Sequence, residues 1–176
     1  MAGIVLAAGA GTRFGMPKVL AHEGRWLRTA VSALADGGCD DVIVVLGAAV
    51  VEVPAPARAV VADDWAHGLS ASVRAGIAAA GDAETVVLHT VDTPDIGAAA
   101  VRRVLDASRA GTGGMARAVY DGRRGHPVAI ARRHLAALRE SLSGDEGARP
   151  FLRGREDVTA VECGDLASGR DVDVSD

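Results

Sequence analysis

The chain has 176 residues, of which 49% are hydrophobic and 24% charged, and its net charge is −4. These values are typical of one globular domain, here residues 1–176, and they exclude a disordered chain, because disordered chains are poor in apolar residues. The acidic balance and the 3% aromatic content argue against binding to nucleic acid or to an anionic membrane, and no apolar run is long enough to span a bilayer.

Strands and helices are predicted to alternate through the first half of the chain. The β-branched run at 42–46 is typical of a buried parallel strand. The predicted elements are a strand over 3–8 that breaks into a glycine-rich turn at 9–15, a helix over 26–35, strands over 42–46 and 59–62, a helix over 69–80 and a strand over 85–89.

The second half continues this alternation and adds a hairpin. The predicted elements are a helix over 96–109, strands over 115–119 and 128–130 that flank a turn at 121–124, helical segments over 132–140 and 147–152, a strand over 158–162 and an acidic tail at 171–176. This order predicts a three-layer α/β/α sandwich, Rossmann-like, with a mostly parallel sheet and a small β-hairpin beside it.

The two cysteines and the amino terminus bear on the compartment. Cys39 and Cys163 have no paired spacing, which fits a reducing environment and gives no zinc motif. Residues 1–5 contain no basic stretch, so we expect no signal peptide. The sequence therefore predicts a cytoplasmic protein, either a monomer or a weak oligomer.

The glycine-rich loop at 9–18 follows the first strand, where ligands of parallel sheets bind. A dinucleotide site would need an acidic residue at the end of the second strand, but Leu46 is followed by glycine and alanines. A Walker loop would need Gly-Lys-Ser/Thr, whereas Lys18 follows Pro17. Both of these phosphate-binding motifs are therefore excluded.

Lys18 is conspicuous because 18 of the 19 basic residues are arginines and it is the one lysine. A compact ammonium on a flexible stem fits a crowded phosphate site better than a planar guanidinium does. Glycine backbone can approach phosphate oxygens closely, and Arg13 and Lys18 would add positive charge. A plain glycine turn with two solvated basic residues is the alternative.

The loop resembles the signature loop of sugar-phosphate and cofactor nucleotidyltransferases. The matching residues, which this resemblance assigns to nucleotide binding, are Leu6, Ala7, Ala8, Gly9, Gly11, Thr12, Arg13 and Lys18. The double alanine at 7–8 resembles the branch of the family that uses CTP rather than GTP.

Three further segments resemble the molybdenum-cofactor cytidylyltransferases. Residues 68–76 look like their G-L-S-x-S-x-R-x-G segment and imply that Ser70, Ser72 and Arg74 contact the nucleotide. Residues 125–128 and 144–149 look like their G-H-P and G-D-x-G-A-R segments. Those two imply an acceptor-binding set of Gly125, His126, Pro127, Asp145, Gly147 and Arg149.

Structural roles remain open for several of these residues. Either Ser70 or Ser72 could cap a helix, since both stand where one begins. Arg74 could be a solvated surface residue, His126 could pack a turn, and Asp145 and Arg149 could pair with each other.

The metal site is assigned partly by resemblance. Asp92 follows an apolar strand and, with Pro94, matches the family's G-D-x-P segment, although Val91 replaces the glycine. Asp173 matches a ligand in the family's closing acidic segment, and Asp171 is the fallback. Mg²⁺ binds through one or two carboxylates and retains several waters. An alternative is that Asp92 caps the next helix and that the acidic tail has no function.

The resemblance implies attack by the terminal phosphate of molybdenum-bound molybdopterin on CTP, with Mg²⁺ as cofactor and Arg13, Lys18 and Asp92 as catalytic residues. A molybdoenzyme could receive the product. Two other readings remain: a nucleotidyltransferase with another NTP or acceptor, and a catalytically silent nucleotide-binding module or molybdoenzyme chaperone.

Overall fold

A computed structural model describes residues 1–173, so positions 174–176 of the predicted acidic tail lie outside the described residues. The strands are short and mostly apolar, and β1, β2 and β4 in the middle of the sheet are almost completely buried, as the sequence predicts for β2 and β4. They are β1 (Ala2–Leu6), β2 (Asp41–Leu46), β3 (Arg58–Val61), β4 (Thr85–Thr90), β5 (Met115–Tyr120), β6 (Arg123–Ala131) and β7 (Val158–Glu162).

Five α-helices connect the strands. They are α1 (Ala21–Asp36), α2 (Leu69–Ala79), α3 (Ala98–Ala110), α4 (Leu135–Ser141) and α5 (Arg149–Leu152). In α1, His22, Glu23 and Gly24 have left-handed backbone angles, so regular helix begins only after them. The segment predicted to be helical at 132–140 divides into a 3₁₀ turn over Arg132–His134 followed by α4.

One seven-stranded sheet forms the middle layer, in the order β3-β2-β1-β4-β6-β5-β7. All neighbouring strands are parallel except for the β4–β6 and β5–β6 pairs, in which β6 is antiparallel. The β5–β6 hairpin that the sequence predicts is present, but it is not beside the main sheet. It is part of it, because the long strand β6 pairs with β4 on one edge and with β5 on the other.

Apolar side chains cover both faces of the sheet. One face packs on α1 and α3, where Leu34 and Leu105 are almost completely buried. The other packs on α2, α4 and α5, where Val73, Leu138 and Leu152 are buried. The three-layer α/β/α prediction is therefore confirmed. Within residues 1–173, no helix has the length and apolar character needed to cross a lipid bilayer.

Candidate nucleotide and metal site

A cleft of about 450 Å³ lies at the carboxyl ends of β1 and β4. This is the edge where parallel sheets bind ligands, and the volume falls in the usual range for small-molecule sites. The residues that line it are Leu6, Ala7, Ala8, Gly9, Ala10, Gly11, Thr12, Arg13, Phe14, Lys18, Trp65, Ala66, Gly68, Leu69, Ser72, Thr90, Val91, Asp92, Asp145 and Asp173.

The glycine-rich loop wraps one side of this cleft. Gly11 has a φ of 62°, and its carbonyl oxygen accepts hydrogen bonds from the backbone N–H groups of Phe14 and Gly15 at 2.9 and 2.8 Å. A side chain at Gly11 would overlap the Met16 carbonyl, whereas one at Gly9 would point into open space. The Phe14 ring packs 5.3 Å from the Trp26 ring, which attaches the loop to α1.

Lys18, at the end of this loop, lies between two carboxylates. Its Nζ donates to Asp92 Oδ2 at 2.9 Å and to Asp173 Oδ1 at 3.0 Å. The Lys18 side chain is only 15% exposed, while that of Asp173 is 47% exposed. Arg13 is 80% exposed and approaches Asp173 Oδ2 at 3.4 Å. Residues 74 and 155 positions away along the chain thus converge on one ammonium group.

The charged groups around Lys18 shift the pKa values of Lys18, Asp171 and Asp173. Burial alone would lower the pKa of Lys18, but the hydrogen bonds and charges of Asp92 and Asp173 outweigh it and raise that pKa. The hydrogen bond from Lys18 lowers the pKa of Asp173. Asp171 reaches solvent, yet partial desolvation and the charges of Asp92 and Asp173 raise its pKa. The ammonium therefore stays charged in the cleft at neutral pH.

The carboxylates suit a divalent cation. Asp92 and Asp173 converge on one cationic position, and the buried Oδ1 of Asp92 has no hydrogen-bond partner among residues 1–173. The described residues contain no cluster of three or more metal-ligating side chains. Two carboxylates with open positions for water and phosphate oxygens match the preferences of Mg²⁺ rather than those of a structural metal. Asp171, the fallback ligand, is not in the cleft lining.

The amino terminus of α2 forms the opposite wall. Gly68, with a φ of 108°, precedes the helix, and the Leu69 N–H donates to Asp145 Oδ1 at 3.2 Å. The Ser70 N–H donates to the Gly144 carbonyl at 3.0 Å. The loop that carries Asp145 is thereby attached to the start of α2, and the proposed pairing of Asp145 with Arg149 is not formed.

Of the three α2 residues predicted to contact the nucleotide, Ser70, Ser72 and Arg74, only Ser72 lies in the cleft lining. Neither serine caps α2 through its side chain. Ser72 lines the cleft, whereas Ser70 is buried outside the lining. Arg74 is also outside it: its two terminal nitrogens donate to the carbonyls of Arg139 and Leu142, both at 2.6 Å. The placement of Arg74 indicates that it ties α2 to α4 and gives no support to a nucleotide contact.

The acceptor-binding residues predicted around His126 lie beside the cleft rather than in its lining. His126 Nδ1 is 3.2 Å from the Leu88 carbonyl, and Tyr120 donates to the His126 carbonyl at 2.6 Å. A side chain at Gly125 would approach the Tyr120 ring at 2.9 Å. Of the acceptor set as a whole, only Asp145 lines the cleft; Gly125, His126, Pro127, Gly147 and Arg149 do not.

Sequence reasoning gave no role to Phe14, Trp65 and Thr90, which also line the cleft. Trp65 could have been suspected, because it lies three residues before the matching segment at 68–76. The Trp65 side chain packs directly on Gly47, where any side chain would clash with it, because a Cβ there would lie 2.6 Å from Trp65. Thr90 is simply the last residue of β4, so its position required the sheet register.

Comparison with known proteins fits this geometry. Residues 3–160 match the family described as the MobA-like NTP transferase domain. The chain belongs to this family. It is therefore an enzyme of the nucleotidyltransferase type, as the glycine-rich loop and the segments at 68–76, 125–128 and 144–149 predict.

Relatives of this MobA-like chain cover nearly its whole length. It is 38% identical to nicotine blue oxidoreductase of Paenarthrobacter nicotinovorans over 97% of this chain and 91% of that protein. The crystal structure of Rv0371c from Mycobacterium tuberculosis H37Rv is 28% identical, with a TM-score of 0.80 over 98% of this chain and 92% of the other. A manganese complex of Rv0371c, 27% identical, has a TM-score of 0.70 over 92% of this chain and 86% of that one.

Proposed function

We propose that this enzyme transfers a cytidylyl group from CTP to the terminal phosphate of molybdenum-bound molybdopterin and releases pyrophosphate. The observation that carries the proposal is the placement of Lys18 between Asp92 and Asp173, in a cleft that the glycine-rich loop also lines. A triphosphate concentrates negative charge, and this cleft combines an ammonium, backbone N–H groups and two carboxylates suited to a divalent cation.

The reaction is a single displacement at phosphorus. An oxygen of the acceptor phosphate forms a bond to the α-phosphorus of CTP, and the bond from that phosphorus to the oxygen bridging the β-phosphate breaks. The attacking group is already an anion, so no general base is needed. Alignment and charge neutralisation then account for catalysis.

This chain's residues divide these tasks. The backbone of Gly9, Gly11 and Thr12 donates to phosphate oxygens, and Lys18 and Arg13 neutralise the charge that grows on departing pyrophosphate. Asp92 and Asp173 would hold Mg²⁺, which supplies bridging positive charge to the triphosphate. Ser72 and the first residues of α2 form the side of the cleft against which the nucleotide lies.

The name of the P. nicotinovorans relative suggests a second candidate, an oxidoreductase. Its sequence identity of 38% over 97% of this chain favours shared chemistry. The end of β2 counts against it, because Leu46 is followed by Gly47 and two alanines, which leaves no acid for a nicotinamide dinucleotide ribose. Transfer is therefore the better-supported function.

The deciding experiment measures pyrophosphate release from each of the four NTPs, with and without molybdenum cofactor, in the presence of Mg²⁺. The expected result is release from CTP only when cofactor is present, and its abolition by EDTA. A parallel assay follows NADH and NADPH absorbance at 340 nm.

Each other outcome contradicts the proposal in a defined way. Release from a different NTP or with a different phosphate acceptor indicates a related nucleotidyltransferase. Binding of CTP without release indicates a silent module or chaperone. Oxidation of NADH or NADPH without release indicates the oxidoreductase.

A further inference from the structure

Three arginines lie either on the face of the sheet that packs against α5 or at the start of α5 itself. They are Arg117 on β5, Arg124 on β6 and Arg149 at the start of α5. Desolvation lowers the pKa of the half-buried Arg117, and the positive charges of Arg124 and Arg149 lower it further. We name these three side chains the arginine cluster.

The sheet register brings the cluster together. Arg124 pairs with Val119, two residues beyond Arg117 on β5. On β5, Ala116, Ala118 and Tyr120 face the α1–α3 side, so Arg117 and Val119 face the side of α5. Arg149 begins α5, which buries Leu152 on that same side.

An irregularity in the hairpin holds Arg117 in place. The β5–β6 register shifts between Arg117 and Val119, and the Gly125–His126–Pro127 segment occupies the extra length of β6. Irregularities of this kind re-aim side chains and are frequent beside functional sites. Arg117 Nε donates to the Gly125 carbonyl at 3.2 Å, so the guanidinium is anchored through one nitrogen.

The cluster has no acidic partner. Among residues 1–173, none of its three side chains forms an ion pair. Some arginines elsewhere do, such as Arg103 with Asp165, while others, such as Arg74, donate to backbone carbonyls instead. Like charges held together without a counterion repel one another. A half-buried arginine in such a group is explained best by an anion that binds there, since guanidinium groups match phosphate oxygens in geometry.

The hairpin that carries Arg117 and Arg124 adjoins the strand that leads into the cleft. Strand β6 pairs with β4, and His126 Nδ1 on β6 is 3.2 Å from the Leu88 carbonyl of β4. Asp92, just beyond the end of β4, lines the cleft. Arg149 is four residues beyond Asp145, which lines the cleft.

We propose that Arg117 and Arg124, together with Arg149, bind the phosphate group of the acceptor and present it to the cleft. This inference rests on the proposed transfer function and adds two binding residues to it. The ligand class is a phosphate monoester. Charge neutralisation by the cluster would allow a dianionic nucleophile to approach a triphosphate that is itself negative.

Inorganic phosphate is the probe, titrated calorimetrically into the full chain. The variants are Arg117→Ala, Arg124→Ala and Lys18→Ala, and the control is Arg153→Ala, which removes an exposed arginine that pairs with Glu146. We expect Arg117→Ala to weaken phosphate binding about tenfold or more, Lys18→Ala to retain a phosphate site, and Arg153→Ala to match wild type. Arg117→Lys should restore part of the affinity, and thermal melts verify folding.

Phosphate binding that is unaffected by Arg117→Ala and Arg124→Ala but lost in Lys18→Ala would overturn the inference, because the phosphate would then occupy only the glycine-rich cleft. The calorimetric result does not depend on turnover. If wild type releases no pyrophosphate from any NTP, the proposed function fails while the phosphate titration still decides the role of the cluster. Where turnover is observed, Arg117→Ala should raise the acceptor KM and leave the NTP KM unchanged.

Discussion

At the scale of single residues, the surroundings of Lys18 explain why this position holds a lysine in a chain whose other basic residues are all arginines. Its ammonium contacts two carboxylates from distant segments at 2.9 and 3.0 Å in a mostly buried position. A point charge on a flexible stem fits between them, whereas a planar guanidinium needs a wider, flatter space. The sequence indicated that Lys18 was special, and the structure adds which carboxylates it contacts.

Lys18→Ala should lower kcat/KM for pyrophosphate release by about 10- to 100-fold, because one charge-assisted hydrogen bond contributes about 1.5–3 kcal/mol. Lys18→Arg should recover only part of the loss, since charge is kept but the shape is wrong. Arg25→Ala, which removes an exposed charge on α1, is the matched control. Steady-state kinetics at saturating Mg²⁺ measure the effect, and wild-type values in Lys18→Ala would remove Lys18 from the mechanism.

At the scale of elements, the cleft depends on how α2 meets the loop before α5. Gly68 stands at this junction with a φ of 108°, and a Cβ there would approach both the Gly144 carbonyl and Asp145 Oδ1 at 2.6 Å. Glycine is needed for two reasons, conformation and space. The junction sets the distance between the nucleotide wall and the loop that leads to the arginine cluster.

Gly68→Ala should therefore displace the Gly144–Asp145 loop and weaken CTP binding about tenfold, in addition to a loss of about 1–3 kcal/mol in unfolding free energy, because a φ of 108° with a ψ of 179° is a conformation that essentially only glycine adopts. Gly81→Ala is the matched control, because Gly81 has a φ of 54° but a Cβ there meets nothing within 4 Å. It should lower stability without changing CTP affinity. Denaturant unfolding and CTP titration measure the two effects, and equal CTP affinity in both variants would refute this role of Gly68.

The elements also show what sequence reasoning could reach. Apolar runs identified all seven strands, and glycine-rich breaks marked where the cleft would form, because both signals are local. Local signals could not reveal that Arg74 is held by carbonyls of α4 and the loop after it, or that β6 pairs with β4. Arg117 was missed for the same reason: on β5 it reads as one more surface arginine until the shifted register places it near Arg124.

At the scale of the whole molecule, His89 couples folding to pH. It lies on the central strand β4, is completely buried, and neither ring nitrogen has a hydrogen-bond partner among residues 1–173. Burial lowers its pKa to about 3, an effect to which the nearby His126 adds. The imidazole is therefore neutral in the folded state at every physiological pH. A buried polar group without partners costs free energy at neutral pH as well.

His89→Leu should flatten the acid side of the stability curve. Below its ordinary pKa of 6.5, unfolded His89 takes up a proton, while the folded residue does not until about pH 3. The unfolded state thus binds more protons in this pH window. The free energy of unfolding of wild type therefore decreases as the pH is lowered, by up to about 1.4 kcal/mol per pH unit for this one group. In His89→Leu that contribution disappears and the one from His126, whose pKa burial also lowers, is left. Stability at pH 7.5 should stay equal or rise, because an unsatisfied polar group is replaced by an apolar one. His67→Ala, at a side chain that is 81% exposed, should reproduce the wild-type curve. Urea unfolding at half-unit steps from pH 7.5 to 4.5 measures the slopes, and parallel curves for wild type and His89→Leu would show that His89 is protonated, or partnered, inside the folded protein.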